Sequence, residues 1–426
     1  MNSESHTAET GEVVIEPSFD QPAISFYQRF AAVILFMLVV SLPFFSVRNP
    51  MLRLSPPLWM MIIVGVVGAL RCLFLRKISL DIFDFMLLGY LGIVLANCAF
   101  LPQADNQYLI LAKSVVYFAL FATLKQFLMD FPIAVMEKVI FRGVIVGSFG
   151  FVAIALFALW RTGNLSVLTS SWKYYTLTLQ TFASIDIVFG QQRMEEFASR
   201  DVMRNAVGEV FTLYFLLAQV FRNKQISLWP PLLLVLNGLL IVLTFSRRAF
   251  FAVAAVAMIA FKPNQQGVKR FLFTLLVLAS LFTLTLFMEG DSRLIDVSGG
   301  SRMDQYTEAL STWSEKPIFG VGYGTQLNGR YVHNFVFSSM FFMGIPGLIF
   351  SVGITGYLLF HFFKGSFLQD NNLANLLVIP LFGLAVGATA EGIFTITQWF
   401  AIATFQRIRL ESAEQGLEIG EFDDGE

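Results

Sequence analysis

The sequence predicts an all-α polytopic membrane protein with about 12 transmembrane helices, and three observations lead to this fold class. The chain is 56% hydrophobic and only 14% charged, whereas soluble domains carry about 25% charged residues. Apolar runs of membrane-spanning length recur from one end of the chain to the other. Lysine and arginine concentrate in alternate connections between these runs, which is the pattern of a chain that crosses a bilayer repeatedly.

Each predicted span is an apolar run close to the roughly 20 residues that a helix needs to cross a bilayer. The runs are 30–46, 57–75, 82–101, 107–128, 137–160, 206–221, 227–245, 249–262, 270–288, 334–360, 373–390 and 391–406. The eighth run is short and only Glu391-Gly392 separates the last two, so the count lies between about 10 and 12. Allowing a residue or two at each boundary, helices 1–5 fall in 29–160, helices 6–9 in 206–289 and helices 10–12 in 334–406.

The charge distribution predicts that both termini are cytoplasmic, as a disordered tail over 1–28 and an acidic tail over 407–426. In this orientation the short outer connections carry only Arg48, Arg53, Arg247 and Arg248, whereas the inside connections and the C-terminal tail carry Arg71, Arg76, Lys77, Lys125, Lys138, Arg142, Arg222, Lys224, Lys262, Lys269, Arg270, Lys364, Arg407 and Arg409. Two long segments, 161–205 and 290–333, then become outer loops.

Arg247 and Arg248 form an arginine pair in a very short outer connection, where basic residues are disfavoured. Two interpretations remain open. The pair could extend to lipid phosphates at the membrane surface. Alternatively, it forms an anion site at the outer face, since the planar guanidinium suits a phosphate or diphosphate.

The outer loop 290–333 is predicted to contain an amphipathic helix on the membrane surface. Ser301 is its predicted N-cap, Arg302 lies at its start, and Pro317 ends it. An apolar stripe at helical spacing consists of Met303, Tyr306, Leu310 and Trp313.

Glycines and a histidine mark the rest of this loop. The run "GVGYG" (320–324) predicts a turn, because no Gly-Lys-Ser/Thr follows it to make a phosphate-binding loop. The glycines are also compatible with a mobile lid. His333 is the only histidine available at the outer face, either as a proton acceptor or as a structural capping residue. No metal-ligand spacing occurs in the outer loops, and Cys72 and Cys98 suggest no disulfide.

Three motifs in order resemble the O-antigen polymerase/ligase family of bacterial envelope glycosyltransferases. They are "FSRRAF" at the end of one span, "SRMDQYTEALSTWSEKPIFGVGYG" in the loop, and "HNFVFSSMFFMGIPGLIF" at the start of the next span. Together they cover roughly residues 240–360, and the multi-span topology with a large late outer loop extends the resemblance to the whole chain.

The resemblance implies a GT-C-like membrane glycosyltransferase that works without a metal or other cofactor. It places the active site at the periplasmic face of the bacterial inner membrane, with a glycan on undecaprenyl diphosphate as donor. The residues it assigns to the donor diphosphate are Arg247, Arg248 and Arg302, with a looser match at Arg200 and Arg204. It assigns His333 to activation of the acceptor hydroxyl, with Ser246 and Asn334 in support.

The acceptor separates the functions that this family contains. We expect a polymerase that joins lipid-linked repeat units into an O-antigen or exopolysaccharide; the alternative is a ligase that transfers the polymer to lipid A-core. A chain-length regulator and a flippase are implied as partners, and nothing in the charge pattern indicates nucleic acid. A solute transporter is the alternative from another class, although no internal repeat supports it.

Overall fold

The computed structural model describes residues 26–44, 55–75, 78–101, 107–129, 131–170, 174–189, 206–218, 228–244, 246, 249, 253, 299–327, 332, 334–367 and 395–414. The regular secondary structure within these ranges is helical. The helices, besides a single turn at Val167–Ser170, are α1 Phe26–Ser41, α2 Pro56–Leu75, α3 Ile82–Phe100, α4 Gln107–Leu128, α5 Ile133–Arg161, α6 Tyr174–Phe189, α7 Ala206–Ala218, α8 Trp229–Thr244, α9 Gly299–Glu315, α10 Phe335–Phe367 and α11 Ile396–Glu414.

The prediction of a helical membrane protein is confirmed. Four helical stretches are long and apolar enough to cross a membrane: α2, α3, α5 and residues 335–358 of α10, the last of which contains the break described below. Shorter apolar helices occupy most of the other predicted spans that the structure describes. Apart from Ala249 and Val253, the predicted spans 249–262, 270–288 and 373–390 lie outside the described residues, so the total number of spans stays a prediction.

An ion pair fastens α3 to α4 at their predicted cytoplasmic ends. Asp81 and Asp84 form a capping box at the start of α3, with N–H to carboxylate distances of 3.1 and 2.8 Å. Lys125 is fully buried in the last turn of α4; it pairs with Asp84 and lies 3.5 Å from Asp81. Lys125 lies near the inner end of the predicted run 107–128, and these two carboxylates neutralise it inside the helix.

The last helix reaches the same end of the molecule. The Arg407 guanidinium is buried and donates to the carbonyl oxygen of Phe131, between α4 and α5, at 2.9 Å. Helix α11 continues to Glu414 rather than ending near the predicted residue 406. The ends that the sequence assigned to the cytoplasm therefore lie together.

The first predicted outer loop, 161–205, contains a helix that the sequence reading missed. Helix α6 packs on α5, where Ser184 accepts hydrogen bonds from Thr162 and Asn164 at 2.8 and 3.2 Å. Phe182 and Ile185 are buried in this contact. Threonine and glutamine interrupt the apolar pattern of "TLTLQTF", so the segment resembled a polar, aromatic loop.

Helix α10 is broken rather than continuous, although the sequence predicted one span over 334–360. Gly344 has φ +67° and ψ −149°, which lies outside the helical region and favours glycine. A Cβ on Gly347 would meet the Ser339 carbonyl oxygen across the break, so the two halves fold back on each other. Pro346 sits in the first turn of the second half, where its missing N–H leaves no helical bond unmade.

The two halves of α10 run in opposite directions along α3. In the first half, the Phe335 ring lies 5.4 Å from the Tyr90 ring, and the Phe342 carbonyl meets Asn97 further along α3. In the second half, Phe350 packs on Gly89 and the Tyr357 ring lies 5.3 Å from Phe83. The first half therefore rises parallel to α3 and the second half descends antiparallel to it.

Candidate functional site

The structure describes three of the predicted site residues at least in part. Ser246 and Asn334 are described fully, and Arg302 lies in the first turn of α9 as backbone. The other five, Arg200, Arg204, Arg247, Arg248 and His333, lie outside the described residues. The site is therefore built from the elements that flank these five positions.

Ser246 lies against the start of α7. A Cβ on Gly208 would fall 2.7 Å from the Ser246 Cβ and 3.0 Å from the Thr244 hydroxyl, so only glycine allows this approach. The Ser246 hydroxyl is buried and accepts a bond from the Ala249 amide at 3.4 Å. This contact joins the segment before Arg247 to the segment that follows Arg204.

Glu209, next along α7, is a buried carboxylate held by the last helix. It accepts a hydrogen bond from the Thr395 hydroxyl at 2.9 Å. Thr395 and Gln398 form a capping box for α11, with bonds of 3.0 and 3.3 Å. Thr395 is therefore one partner of Glu209 among the described residues.

Asn334 caps α10 directly after the His333 position. Its side-chain oxygen accepts from the Val336 and Phe337 amides at 2.9 and 3.2 Å, and its carbonyl accepts from the Ser338 amide at 2.7 Å. This junction lies beside Tyr90, about 15 Å along α3 from its end at Phe100. The His333 segment thus meets α10 well below the outer end of α3.

Helix α9 lies on the first half of α10 through an aromatic stack. The rings of Tyr306 and Phe337 are 4.8 Å apart and inclined by only 13°. Arg302 precedes Tyr306 by one helical turn, about 6 Å of rise, and Asn334 precedes Phe337 by three residues. Beyond the ends of α9 and of the first half of α10, the Ile345 amide donates to the Pro317 carbonyl. The two helices therefore run in the same direction, with their starts at the same end.

The predicted amphipathic helix exists, but its bounds and covered face differ from the prediction. It begins at Gly299, so Ser301 lies inside it rather than at its N-cap. Tyr306 and Ala309 face the protein, whereas Leu310 of the predicted stripe is exposed. The helix packs on α10, and this contact determines which face is buried.

The "GVGYG" turn docks on the break in α10. The Val321 and Gly322 amides donate to the Phe341 and Phe342 carbonyls at 2.9 and 3.0 Å, and the Ile345 amide donates to Pro317 at 2.9 Å. These bonds satisfy backbone groups that the break releases from the helix.

Glycine is required in this turn for two reasons. Gly320, Gly322 and Gly324 all have positive φ, and a Cβ on Gly320 would lie 2.5 Å from the Phe342 carbonyl carbon. The turn prediction is confirmed. These glycines shape a docked turn, and the mobile lid inferred from them stays a prediction.

A chain of aromatic rings connects the start of α10 with the start of α11. Phe335 contacts Tyr90, Tyr90 contacts Phe118 at 6.2 Å, and Phe118 contacts Trp399 at 5.5 Å. Trp399 follows Thr395 by one turn of α11, and its amide donates to the Thr395 carbonyl at 2.9 Å. The His333 end of α10 and the Glu209–Thr395 contact therefore belong to one packed region.

Asn97 was missed by the sequence reading, although an asparagine inside the apolar run "GIVLANCAF" was a usable signal. Its amide bonds the loop after α9 and the break in α10 simultaneously. The Thr-x-x-Gln spacing of "TITQ" was a second usable signal, since it is a capping box. Among the described residues, no group of three or more His, Cys, Asp or Glu is arranged to hold a metal ion.

Comparison with known proteins adds one positive finding. Residues 232–352 match the family model described as O-antigen ligase, and this match confirms the predicted resemblance. The matched range contains the positions of Arg247, Arg248, Arg302 and His333; Arg200 and Arg204 precede it. No curated protein matches the chain.

Proposed function

We propose, from the O-antigen ligase region at residues 232–352, that this chain is a multi-pass membrane glycosyltransferase that polymerises undecaprenyl-diphosphate-linked repeat units. The product is an O-antigen or exopolysaccharide, and the reaction takes place at the periplasmic face of the inner membrane. One structural observation carries the proposal beyond the family. The Tyr306–Phe337 stack and the Ile345–Pro317 bond set α9 parallel to the first half of α10, which supports a site formed by the start of α9, with Arg302, and the segment that precedes Asn334.

The proposed reaction breaks the bond between the donor sugar and its diphosphate and forms a new glycosidic bond to the acceptor oxygen. Negative charge grows on the leaving diphosphate, and fixed cations stabilise it most where water is excluded. We assign this role to Arg247 and Arg302, with Arg248, Arg204 and Arg200 as neighbouring cations. The acceptor hydroxyl gives its proton to His333, whose ordinary titration range suits a general base at neutral pH.

The contacts of the flanking segments support a single site for these cations. Ser246 packs on Gly208. The segment that carries Arg247 and the segment that carries Arg204 therefore both adjoin this contact. Glu209 and Thr395 lie beside this contact, and the aromatic chain extends from there to Phe335. The charge distribution assigns the end of α8, the start of α7 and the start of α10 to the outer face.

Transfer of a finished polymer to lipid A-core is the second candidate, because the matching family model is itself described as O-antigen ligase. The two reactions use the same donor chemistry and differ in the acceptor. The GT-C-like class, the absence of a metal requirement, and association with a chain-length regulator and a flippase remain parts of the proposal.

Deletion of the gene in its host, followed by electrophoresis of the surface polysaccharide, separates the candidates. A polymerase is expected to leave single repeat units while the long ladder disappears. A ligase would instead remove all O-chain while lipid-linked polymer accumulates. An unchanged polysaccharide pattern would contradict both functions, and altered solute uptake would then favour a transporter.

A further inference from the structure

We propose that Asn97 is a positioning residue for this glycosyl transfer, and the inference rests on the proposed function. Asn97 fixes the loop after α9 to the reversal in α10. It thereby sets the alignment of the helix that carries Arg302 with the helix that follows His333. The Asn97 side chain contacts neither the start of α9 nor the start of α10. It acts on the two helices through the backbone groups that it binds.

The Asn97 amide is fully engaged across three backbone partners. Its nitrogen donates to the carbonyl oxygens of Phe319 and Phe342 at 2.9 and 3.2 Å, and its oxygen accepts from the Tyr323 amide at 2.6 Å. The side chain is buried in an otherwise apolar helix. A polar group there is stable only because each of its donors and its acceptor is satisfied.

These partners belong to the two arms that carry the proposed site. Phe319 and Tyr323 lie in the turn that follows α9, and Phe342 lies at the end of the first half of α10. The Tyr306–Phe337 stack joins the same two arms nearer to their starts. The backbone bonds of the docked turn form a second attachment, and Asn97 ties both sides of this second attachment to α3.

Loss of the Asn97 side chain would remove its bonds to Phe319, Phe342 and Tyr323 and leave the Tyr306–Phe337 stack in place. The Val321 and Gly322 amides still donate to Phe341 and Phe342, and the Ile345 amide still donates to Pro317, whereas the bonds from Phe319 and Tyr323 to Asn97 have no substitute on α3 among the described contacts. The turn is then held on α10 by these three backbone bonds alone and can shift relative to α3. Because a displacement of about 1 Å can lower catalysis by about 100-fold, a small shift is sufficient to impair transfer.

The test compares Asn97→Ala and Asn97→Asp with a matched control, Asn237→Ala, in the full-length purified protein. Asn237 is also a buried asparagine; it accepts from the Ser148 hydroxyl at 2.9 Å, between α5 and α8 and away from the loop. Asp keeps the acceptor for Tyr323 but places a carboxylate oxygen against two carbonyl oxygens. Asn97→Ser, with a shorter polar side chain that cannot span three partners, replaces Ala if Ala does not fold.

Two quantities are measured for each variant. Hydrogen–deuterium exchange reports the protection of the amides of Val321, Gly322 and Tyr323. Steady-state transfer from an undecaprenyl-diphosphate-linked repeat unit, normalised to folded protein, gives kcat and KM. For the Asn97 variants we expect faster exchange in this loop, a kcat lowered by about 10- to 100-fold, and a KM within about twofold of wild type. For Asn237→Ala we expect loop protection and kcat to remain at the wild-type level.

The outcomes separate the positioning role from the proposed function. The positioning role would be overturned if the Asn97 variants lost amide protection in the loop but kept the wild-type kcat. It would also be overturned if amide exchange in the loop were unchanged in both Asn97 variants. An equal fall of kcat in Asn237→Ala would also overturn it, because general loss of packing would then explain the effect. If the wild-type protein transfers no glycan, the proposed function fails, and the positioning role, which rests on it, falls with it.

Discussion

The two ends of α3 are fastened in chemically opposite ways. At its start, Asp84 binds the buried Lys125 of α4, and the contact is ionic. Near its end, Asn97 binds three backbone groups through a neutral amide. Both contacts are buried, and both join α3 to a neighbouring element.

The difference follows from what each end must tolerate. The predicted cytoplasmic end only needs to hold α3 and α4 together, and a buried ion pair does this as long as both partners remain. The other end holds the turn that follows α9, and the Asn97 amide binds the backbone groups of this turn without adding a charge.

Breaking the ionic end has the largest expected effect on stability. Lys125→Ala leaves Asp84 buried without its counter-ion, which is expected to lower the free energy of unfolding by about 3–5 kcal/mol. Equilibrium unfolding in mixed micelles measures this loss. Transfer activity per folded molecule is expected to stay unchanged, since Lys125 lies away from the proposed site.

The double variant Lys125→Met with Asp84→Asn is the control for this prediction. It removes the charges of Lys125 and Asp84 and keeps an acceptor for the Asp81 amide, while the Asp81 carboxylate stays without the lysine, so part of the lost stability is expected to return. A double variant as unstable as Lys125→Ala would show that packing, and not charge, governs this end.

Gly344→Ala is expected to have the next largest effect. Alanine at φ +67° is strained, and its Cβ would meet the Ile318 and Pro317 carbonyls, so about 1–3 kcal/mol of stability should be lost. The docked turn must also move, so transfer activity should fall. Gly356→Ala is the matched control in the same helix, because a Cβ there meets nothing within 4 Å. Equal behaviour of the two variants would contradict the reversal at Gly344.

Substitutions at Tyr306 address the other attachment of α9. Tyr306→Ala removes the ring that stacks on Phe337, and an aromatic pair contributes about 0.5–1.5 kcal/mol beyond its buried area. We expect a lower kcat in the transfer assay, with Tyr306→Phe keeping most of the activity. If Phe were as inactive as Ala, the hydroxyl and not the stack would be the important group.

The smallest expected effect is that of Tyr323→Phe. This variant removes the hydroxyl that pairs with Ser114 at 3.1 Å and leaves the Tyr323 amide bound to Asn97. A loss of about 1 kcal/mol in unfolding free energy is expected, with transfer near the wild-type rate. A large loss of transfer would mean that the hydroxyl, rather than Asn97, holds the turn.

The sequence predicted the helices better than their interruptions. The bounds of α2, α3 and α4 agree with the predicted runs to within a residue, because long apolar runs carry a strong signal. The reversal of α10 was not predicted, since "FFMGIPGLIF" is apolar on both sides of Gly344 and hydropathy does not register direction. Helix α6 was missed for the opposite reason: its threonines and glutamine hide a helix that packs on α5.

The site shows the same division. The turn at 320–324 and the helix carrying Arg302 were predicted from glycine, proline and apolar spacing, which are local features. The contacts of Asn97 with Phe342 and of Glu209 with Thr395 join residues that are distant in sequence. No local pattern encodes such pairs, so only the fold reveals them.

Reconstituted transfer tests the central claim most directly. The purified protein is placed in liposomes with undecaprenyl-diphosphate-linked repeat units as the only glycan, and chain length is followed by electrophoresis. The account predicts that the wild-type protein builds chains of many units, whereas Arg302→Ala and His333→Ala, at equal folded amounts, build none. Chain growth at the wild-type rate in either variant, or no growth with the wild-type protein, would contradict it.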